Sequence, residues 1–378
     1  MFLTAVCMAL GGYAVLIFFY FRHWQRLQLY VPAASSSPVF VSVIVAARNE
    51  EQTLPQLLHD LSRQRYPASQ FEVIVVNDFS TDQTGRLATT FDGTNMQMIF
   101  PDASPETSSK KAALASGIQK AKGELILVTD ADCRVGEEWV QTMASFYAEK
   151  GAAFIAAPVK FTHDRSLLQT LQALDFLTLQ GITAASVAAN AHTMCNGANL
   201  AYTRKAFEEV NGFEGIDNVP TGDDMLLMHK IWKKAPSRVF YLKSREAIVS
   251  TAPMETWREF LMQRRRWASK TLLYDDHRIT AVLAFVLLLN LLPFALVIAG
   301  FIQPVYFLYL LLFLLAKTLI EWPFVASVAA FYGEQKLLRS FFFLQPLHVF
   351  YTVLVGIWSQ LGKYEWKGRK AHRRGVVG

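Results

Sequence analysis

Cysteine is scarce: Cys7, Cys133 and Cys195 are the three in 378 residues, too few and too widely separated for a disulfide framework or a zinc-ligand set. That scarcity fits a reducing compartment. Charge is also thin, at 18% of residues against 52% hydrophobic, which excludes a fully water-soluble globular chain and assigns part of the sequence to lipid. Internal repeats and long low-complexity tracts are missing, so a solenoid or array is excluded. The net charge of +6 is small, and its bases gather beside apolar segments at 22–26, 264–266 and 363–374. No nucleic acid is therefore expected as a partner; the placement fits an anionic membrane surface.

What is present begins with an uncharged run from Phe2 to Phe21, followed at once by Arg22, His23 and Arg26. About twenty apolar residues suffice to cross a bilayer core, and the basic flank puts the C-terminal side in the cytoplasm. A cleaved signal peptide would carry its basic residues before the run. Residues 1–22 thus read as an anchor and 23–38 as a linker, with prolines and serines in Val31 to Pro38. Further apolar runs at 279–300, 301–325 and 341–361 make 277–362 a region of membrane segments ahead of a basic tail, 363–378. Lys317 and Glu321 are spaced to pair on one helix face. If the last run spans, the tail falls on the non-cytoplasmic side against the positive-inside tendency; a re-entrant or interfacial segment would remove the conflict.

Between these regions, 39–250 alternates short apolar runs with amphipathic stretches. Val41–Ala46, Phe71–Val76 and Glu124–Thr129 read as strands, with helices predicted over Glu50–Arg65 and Lys110–Lys122. Such alternation predicts an α/β fold with a mainly parallel, Rossmann-like sheet. In these sheets ligands bind beyond the carboxyl ends of the strands, where Asn77-Asp78 and Asp130-Ala131-Asp132 fall.

Asp130 and Asp132, one residue apart at a strand end, offer hard oxygen ligands to a divalent cation that also holds phosphate. Standing alone the triplet reads as a turn. Asp78 adds a carboxylate at a preceding strand end, suited to a base N–H, while Asp82 reads as a helix start. In Ala47-Arg48-Asn49-Glu50-Glu51, Asn49 reads as a helix cap, and Ala47, Arg48 and Glu50 border the nucleotide side. In Gly222-Asp223-Asp224, before a predicted helix at 225–234, one carboxylate suits a general base oriented by the other, or else both favour a helix N-terminus. Met254–Leu273 is a basic amphipathic stretch within an interface region, 251–276, carrying Gln263-Arg264-Arg265-Arg266-Trp267.

In this order, over Val41 to Trp267, the motifs resemble glycosyltransferase family 2, whose members include polysaccharide synthases and ceramide glucosyltransferase. The resemblance implies the GT-A fold and an inverting, metal-dependent hexosyl transfer from a nucleotide sugar, UDP-linked, to a lipid or glycan acceptor. It implies that Asp78 meets the base, Asp130 the nucleotide, and Asp132 the Mg²⁺ or Mn²⁺. It also implies a lysine near the donor, Lys110 or Lys111, of which Lys111 is taken. Asp224 falls in the base position, with Asp223 replacing the family glutamate. Gln263, Arg266 and Trp267 match the motif at the acceptor and diphosphate, and Asn196-Gly197 an acceptor-side loop. The tail Glu365–Arg369 resembles the ends of bacterial lipid-modifying members.

The expected enzyme is a multi-pass protein of the cell (inner) membrane with its catalytic domain cytoplasmic. A processive polysaccharide synthase and an inactive nucleotide-sugar-binding subunit of a larger machine are the alternatives. A transporter is disfavoured by the few polar groups in the apolar segments.

Overall fold

The computed structural model describes residues 2–32, 39–87, 95–104, 108–164, 166–191, 194–217, 222–269, 276–359, 364–366 and 369–371. The rest of the expected linker, Pro220 and Thr221, the end of the 251–276 stretch and most of the basic tail lie outside the described residues.

The chain forms two compact units: residues 27–160 with 186–252, and residues 1–26 with 161–185 and 253–378. The first contains β1 (Val41–Ala47), α2 (Leu54–Ser62), β2 (Phe71–Asn77), α3 (Thr84–Leu87), β3 (Met96–Ile99), α4 (Lys110–Lys120), β4 (Leu125–Asp130), β5 (Cys133–Arg134) and α5 (Trp139–Lys150). It continues through β6 (Phe154–Ala156) and β7 (Val159–Phe161), whose last residue opens a segment of the other unit, to β8 (Leu200–Thr203), α7 (Arg204–Glu209), α8 (Met225–Lys234), β9 (Val239–Tyr241) and β10 (Val249–Thr251). The second holds α1 (Phe2–Arg26), most of α6 (Leu167–Ala188), α9 (Trp257–Ala268), α10 (His277–Ile302), α11 (Val305–Tyr332), α12 (Leu338–Trp358), and the pair β11 (Tyr364–Trp366) and β12 (Arg369–Ala371).

The main sheet has seven strands in the order β3-β2-β1-β4-β8-β6-β9. It is parallel except for β8, which runs antiparallel to both β4 and β6. Its central strands read as unbroken apolar runs because both faces are covered: every residue of β2 is buried, as are all but one of β1. The one buried charge within β1 and β2, Glu72, is satisfied by the Ser42 hydroxyl at 2.7 Å and the Lys122 N–H at 2.6 Å. A smaller sheet has the order β5-β10-β7.

The α/β expectation therefore holds, with boundary corrections. The helix predicted from Glu50 begins at Leu54 with Thr53 as its N-cap, and Asn49 does not cap it. Asn49 instead adopts φ 56°, and its side-chain oxygen accepts the Thr81 N–H at 2.8 Å. The predicted 254–273 helix is α9, started by a Thr256–Glu259 capping box.

In the second unit four helical stretches among the described residues are long and apolar enough to cross a membrane: Thr4–Arg26, His277–Ile302, Val305–Tyr332 and Gln335–Trp358. The last contains α12, which runs unbroken past Pro346, so its helix is continuous rather than bent back. Lys317 and Glu321 do pair, at 2.5 Å, and Glu321 also accepts from Tyr13 of α1 and Gln345 of α12. Three helices are thereby tied at one buried polar point. Sequence periodicity did not reveal α6, whose apolar residues surround nearly its whole circumference.

Candidate active site

Parallel strands end together, so β1, β2 and β4 deliver Ala47, Asn77-Asp78 and Asp130 to one rim of the first unit. The loops beyond are clipped to each other. Asn49 N–H donates to Ser80 Oγ at 3.1 Å, Glu50 N–H to Thr84 Oγ1 at 2.8 Å, and Glu51 N–H to Asp82 Oδ2 at 3.2 Å. The Glu50 carboxylate accepts from the Thr53 hydroxyl at 2.8 Å, a local contact at the start of α2. Asp82 also accepts the Thr84 N–H at the start of α3, as its helix-start reading requires.

Asp78 is buried and fixed on three sides. Its N–H donates to Ala47 O at 2.8 Å, the Ser108 hydroxyl donates to Oδ1, and Arg48 Nη1 donates to its carbonyl at 2.9 Å. Ser108 joins this cluster although the motifs do not announce it; only its position just before α4 hints at it.

The geometry separates the two lysines that the resemblance offers. Lys110 Nζ lies 2.6 Å from Asp130 Oδ1 and 3.2 Å from Asp223 Oδ2. Lys111, the residue taken from the resemblance, is buried and donates to Ile216 O at 2.5 Å. Adjacent residues at a helix start diverge by about 100°, so only one of the two reaches the acidic rim. Burial would lower the Lys110 ammonium's pKa, but the carboxylates of Asp130 and Asp223 outweigh it and hold it well above the usual lysine value.

Asp224 is the N-cap of α8: its Oδ1 accepts Met225 N–H at 2.7 Å and its Oδ2 accepts Gly197 N–H at 3.1 Å. The turn needs Gly222, whose φ is 84°. Asn196 Oδ1 accepts Ala198 N–H at 2.9 Å, shaping the loop that presents Gly197. The loop rests on Asn199, fully buried, which accepts from Trp139 Nε1 at 3.0 Å and donates to Pro158 O and Ala247 O. Lys110, Asp130, Asp223, Asp224, Asn196 and Gly197 are thus one connected cluster.

Asp130, Asp132 and Cys133 present ligand atoms within 4.8 Å of one another, a spacing that would suit a metal ion. Asp132 is exposed and Asp130 partly so. Burial, with Asp130 and Asp132 close by, pushes the Cys133 thiol well up, so it stays protonated. Two hard carboxylates and a neutral thiol fit Mg²⁺ or Mn²⁺ bound through oxygen, not a thiolate site.

The Gln263–Trp267 motif lies on α9 in the second unit. Arg264 and Arg265 are buried rather than facing lipid or water: Arg264 pairs with Asp175 of α6 at 2.7 Å and lies 4.3 Å over the Trp267 ring, and Arg265 lies 4.5 Å over Trp358. Gln263 Oε1 accepts from Arg264 Nη1 at 3.0 Å.

Comparison with known proteins agrees with this architecture. Residues 42–210 match the family model "Glycosyl transferase family 2". A probable glycosyltransferase of Bacillus subtilis, YdaM, is 26% identical over 266 residues, 66% of this chain and 60% of that protein. The beta-monoglucosyldiacylglycerol synthase of Nostoc sp. is 31% identical over 158 residues, 40% of this chain and 32% of that protein. The match thus spans less than two thirds of either relative. Among solved structures, the mannosyltransferase PcManGT from Pyrobaculum calidifontis, in complex with GDP-Man and Mn²⁺, aligns over 94% of this chain and 99% of its own, with TM-score 0.57 and 19% identity. That likeness establishes the GT-A-like fold. Residues 42–210 thus carry a glycosyltransferase family 2 domain, set in a GT-A-like fold.

Proposed function

We propose that this glycosyltransferase is a multi-pass enzyme of the cell (inner) membrane that transfers a sugar, with inversion, from a UDP-linked or other nucleotide-diphosphate donor to a lipid or lipid-linked acceptor. The observation that carries the reading is the connected rim of Asp78, Asp130, Asp223 and Asp224, joined by Lys110 at the ends of parallel strands. The lipid acceptor is supported by the apolar helices of this chain and by relatives named for glucosyl transfer to diacylglycerol and dolichyl phosphate.

In this mechanism Asp78 and Arg48 hold the base, and Asp130 the nucleotide side. Asp132 and Asp130 hold the divalent cation, which when bound offsets charge on the departing diphosphate. Asp224 takes the proton from the acceptor hydroxyl as that oxygen bonds to the anomeric carbon and the bond to the diphosphate breaks. Asp224 suits this role better than Asp223, because neutral backbone N–H groups orient it, whereas Asp223 is paired with the Lys110 cation. Gln263, Arg266 and Trp267 are assigned to the acceptor and diphosphate.

The test is donor turnover by detergent-purified protein against a panel of nucleotide sugars with membrane lipid extract, with and without Mn²⁺ or Mg²⁺, alongside Asp224→Asn. Release of one nucleotide with a new glycolipid, absent in the variant and without metal, supports the proposal. Elongation to a polymer would replace it with the processive reading, and donor binding without turnover would replace it with the inactive subunit.

A further inference from the structure

Arg264, inside the Gln-x-x-Arg-Trp motif yet not one of its signature positions, is fastened from outside that motif. Its partner Asp175 lies on α6, with 8% of its surface exposed against 5% for Arg264. Two buried charges are kept in place at a desolvation cost that only close pairing offsets, so neither is a casual surface contact. Asp175 is engaged further: His348 Nε2 is 3.5 Å from its Oδ1, and the Tyr351 hydroxyl bonds to it, both from α12.

Two further residues of α6, Gln172 and Phe176, act on the same segment. Gln172, one turn earlier and fully buried, donates to Met254 O at 2.8 Å and accepts Met254 N–H at 2.9 Å, fixing the chain just before α9. Phe176 meets Trp267 with ring centroids 6.0 Å apart. The Arg264 guanidinium, held by Asp175, lies 4.3 Å over that same indole and 5.0 Å over Phe260. Residues 172, 175 and 176 therefore hold the chain entering α9 and two positions in its C-terminal half.

We infer that Gln172 and Asp175 are positioning residues, which set the orientation of α9 and, through Arg264, of the Trp267 indole. The consequence for transfer rests on the proposed function: Trp267 and Gln263 belong to the acceptor side, so loosening α9 weakens use of the acceptor while leaving the donor side intact. Neither residue contacts reacting atoms in this account.

The experiment uses the full chain in detergent, labelled with 5-fluorotryptophan, whose Trp267 resonance is identified by its loss in Trp267→Phe. In Asp175→Asn the Trp267 fluorine signal is expected to shift or broaden while that of Trp139, in the other unit, stays in place. Asp175→Glu should restore the signal in large part. In transfer assays the acceptor KM should rise about tenfold with the donor KM within about twofold. Should Asp175→Asn not fold, Arg264→Lys serves: it keeps the charge but loses the planar group over the indole, and the same Trp267 shift is expected. An unmoved Trp267 signal, or one that changes together with Trp139, overturns the inference. Because the fluorine readout needs no turnover, a wild-type chain without transferase activity would refute the proposed function and leave this test standing.

Discussion

Lys110 Nζ stands 2.6 Å from Asp130 Oδ1, so the carboxylate assigned to the nucleotide already has a cationic partner within the protein. The same ammonium reaches Asp223 at 3.2 Å and so links the end of β4 to the turn before α8. Lys110→Met should deprive Asp130 and Asp223 of their shared cation and cut kcat by about a hundredfold, some 3 kcal/mol. Lys111→Met, which removes the bond to the Ile216 carbonyl, should keep kcat within about threefold. Steady-state kinetics on the two variants decides between the adjacent lysines; the reverse ranking would return the site to Lys111.

The metal reading gives different expectations for the neighbours Asp132 and Cys133. Asp132→Asn should weaken Mn²⁺ binding, measured calorimetrically with nucleotide present, by about tenfold or more. Cys133→Ala should change it less than about twofold, because the thiol is pushed up and remains neutral. A loss on removing Cys133 that matched the loss at Asp132 would make the sulfur a ligand.

Gly197 lies directly against the acidic cluster. A Cβ there would lie 3.3 Å from Lys110 Nζ, 3.5 Å from Asp223 Oδ2 and 3.6 Å from the Asp224 Cβ. Gly197→Ala should therefore displace Lys110 and strain the N–H contact to Asp224, lowering kcat by about tenfold with little change in thermal midpoint. Full activity would show that this contact is not needed for turnover.

The Asp175–Arg264 pair gives a signed pH dependence. Burial alone would raise the Asp175 carboxyl, but Arg264, His348 and Tyr351 outweigh it and hold it down at about 2, against an ordinary 3.8. A depressed folded pKa contributes stability that is complete above the unfolded value and is lost as pH falls from about 4 toward 2. The difference amounts to about 2 kcal/mol. Subtracting the stability curve of Asp175→Asn from that of wild type isolates it. A difference curve that stays flat over this window would show that the pair does not depress the carboxyl.

Topology can be checked at the two short connections. Gln303-Pro304, between α10 and α11, carries no charge, whereas Lys336 and Arg339 lie just after α11. With the first unit cytoplasmic, the positive-inside tendency puts the former outside and the latter inside. Single cysteines introduced at Gln303 and Lys336 in a cysteine-free chain should label from opposite sides with a membrane-impermeant maleimide. Labelling of both from one side would break the four-span reading.

The strand ends were legible because an apolar run that stops at a carboxylate is a strong local contrast, as at Val76-Asn77-Asp78 and Thr129-Asp130. Asn49 was misread because its side chain serves a loop over thirty residues away in sequence, a pairing that propensity at a helix start does not encode. The choice of Lys110 over Lys111 depends on which side of α4 faces the rim. Asp175 was invisible for another reason: one acid in an apolar helix has no spacing to mark it, and its meaning comes from Arg264 and His348, distant in sequence.

The route of the chain has a consequence for biogenesis. It departs from the sheet unit at Phe161, contributes α6 to the helical unit, re-enters at Ser186 and departs again at Pro253. On the ribosome α6 therefore emerges long before α9 and α12, and Asp175 and Gln172 wait for partners not yet synthesised. Cutting the chain near residue 252 to obtain a soluble enzyme would strand that carboxylate permanently among apolar neighbours. Completion of the helical unit therefore waits, on this route, for its last helices to be made.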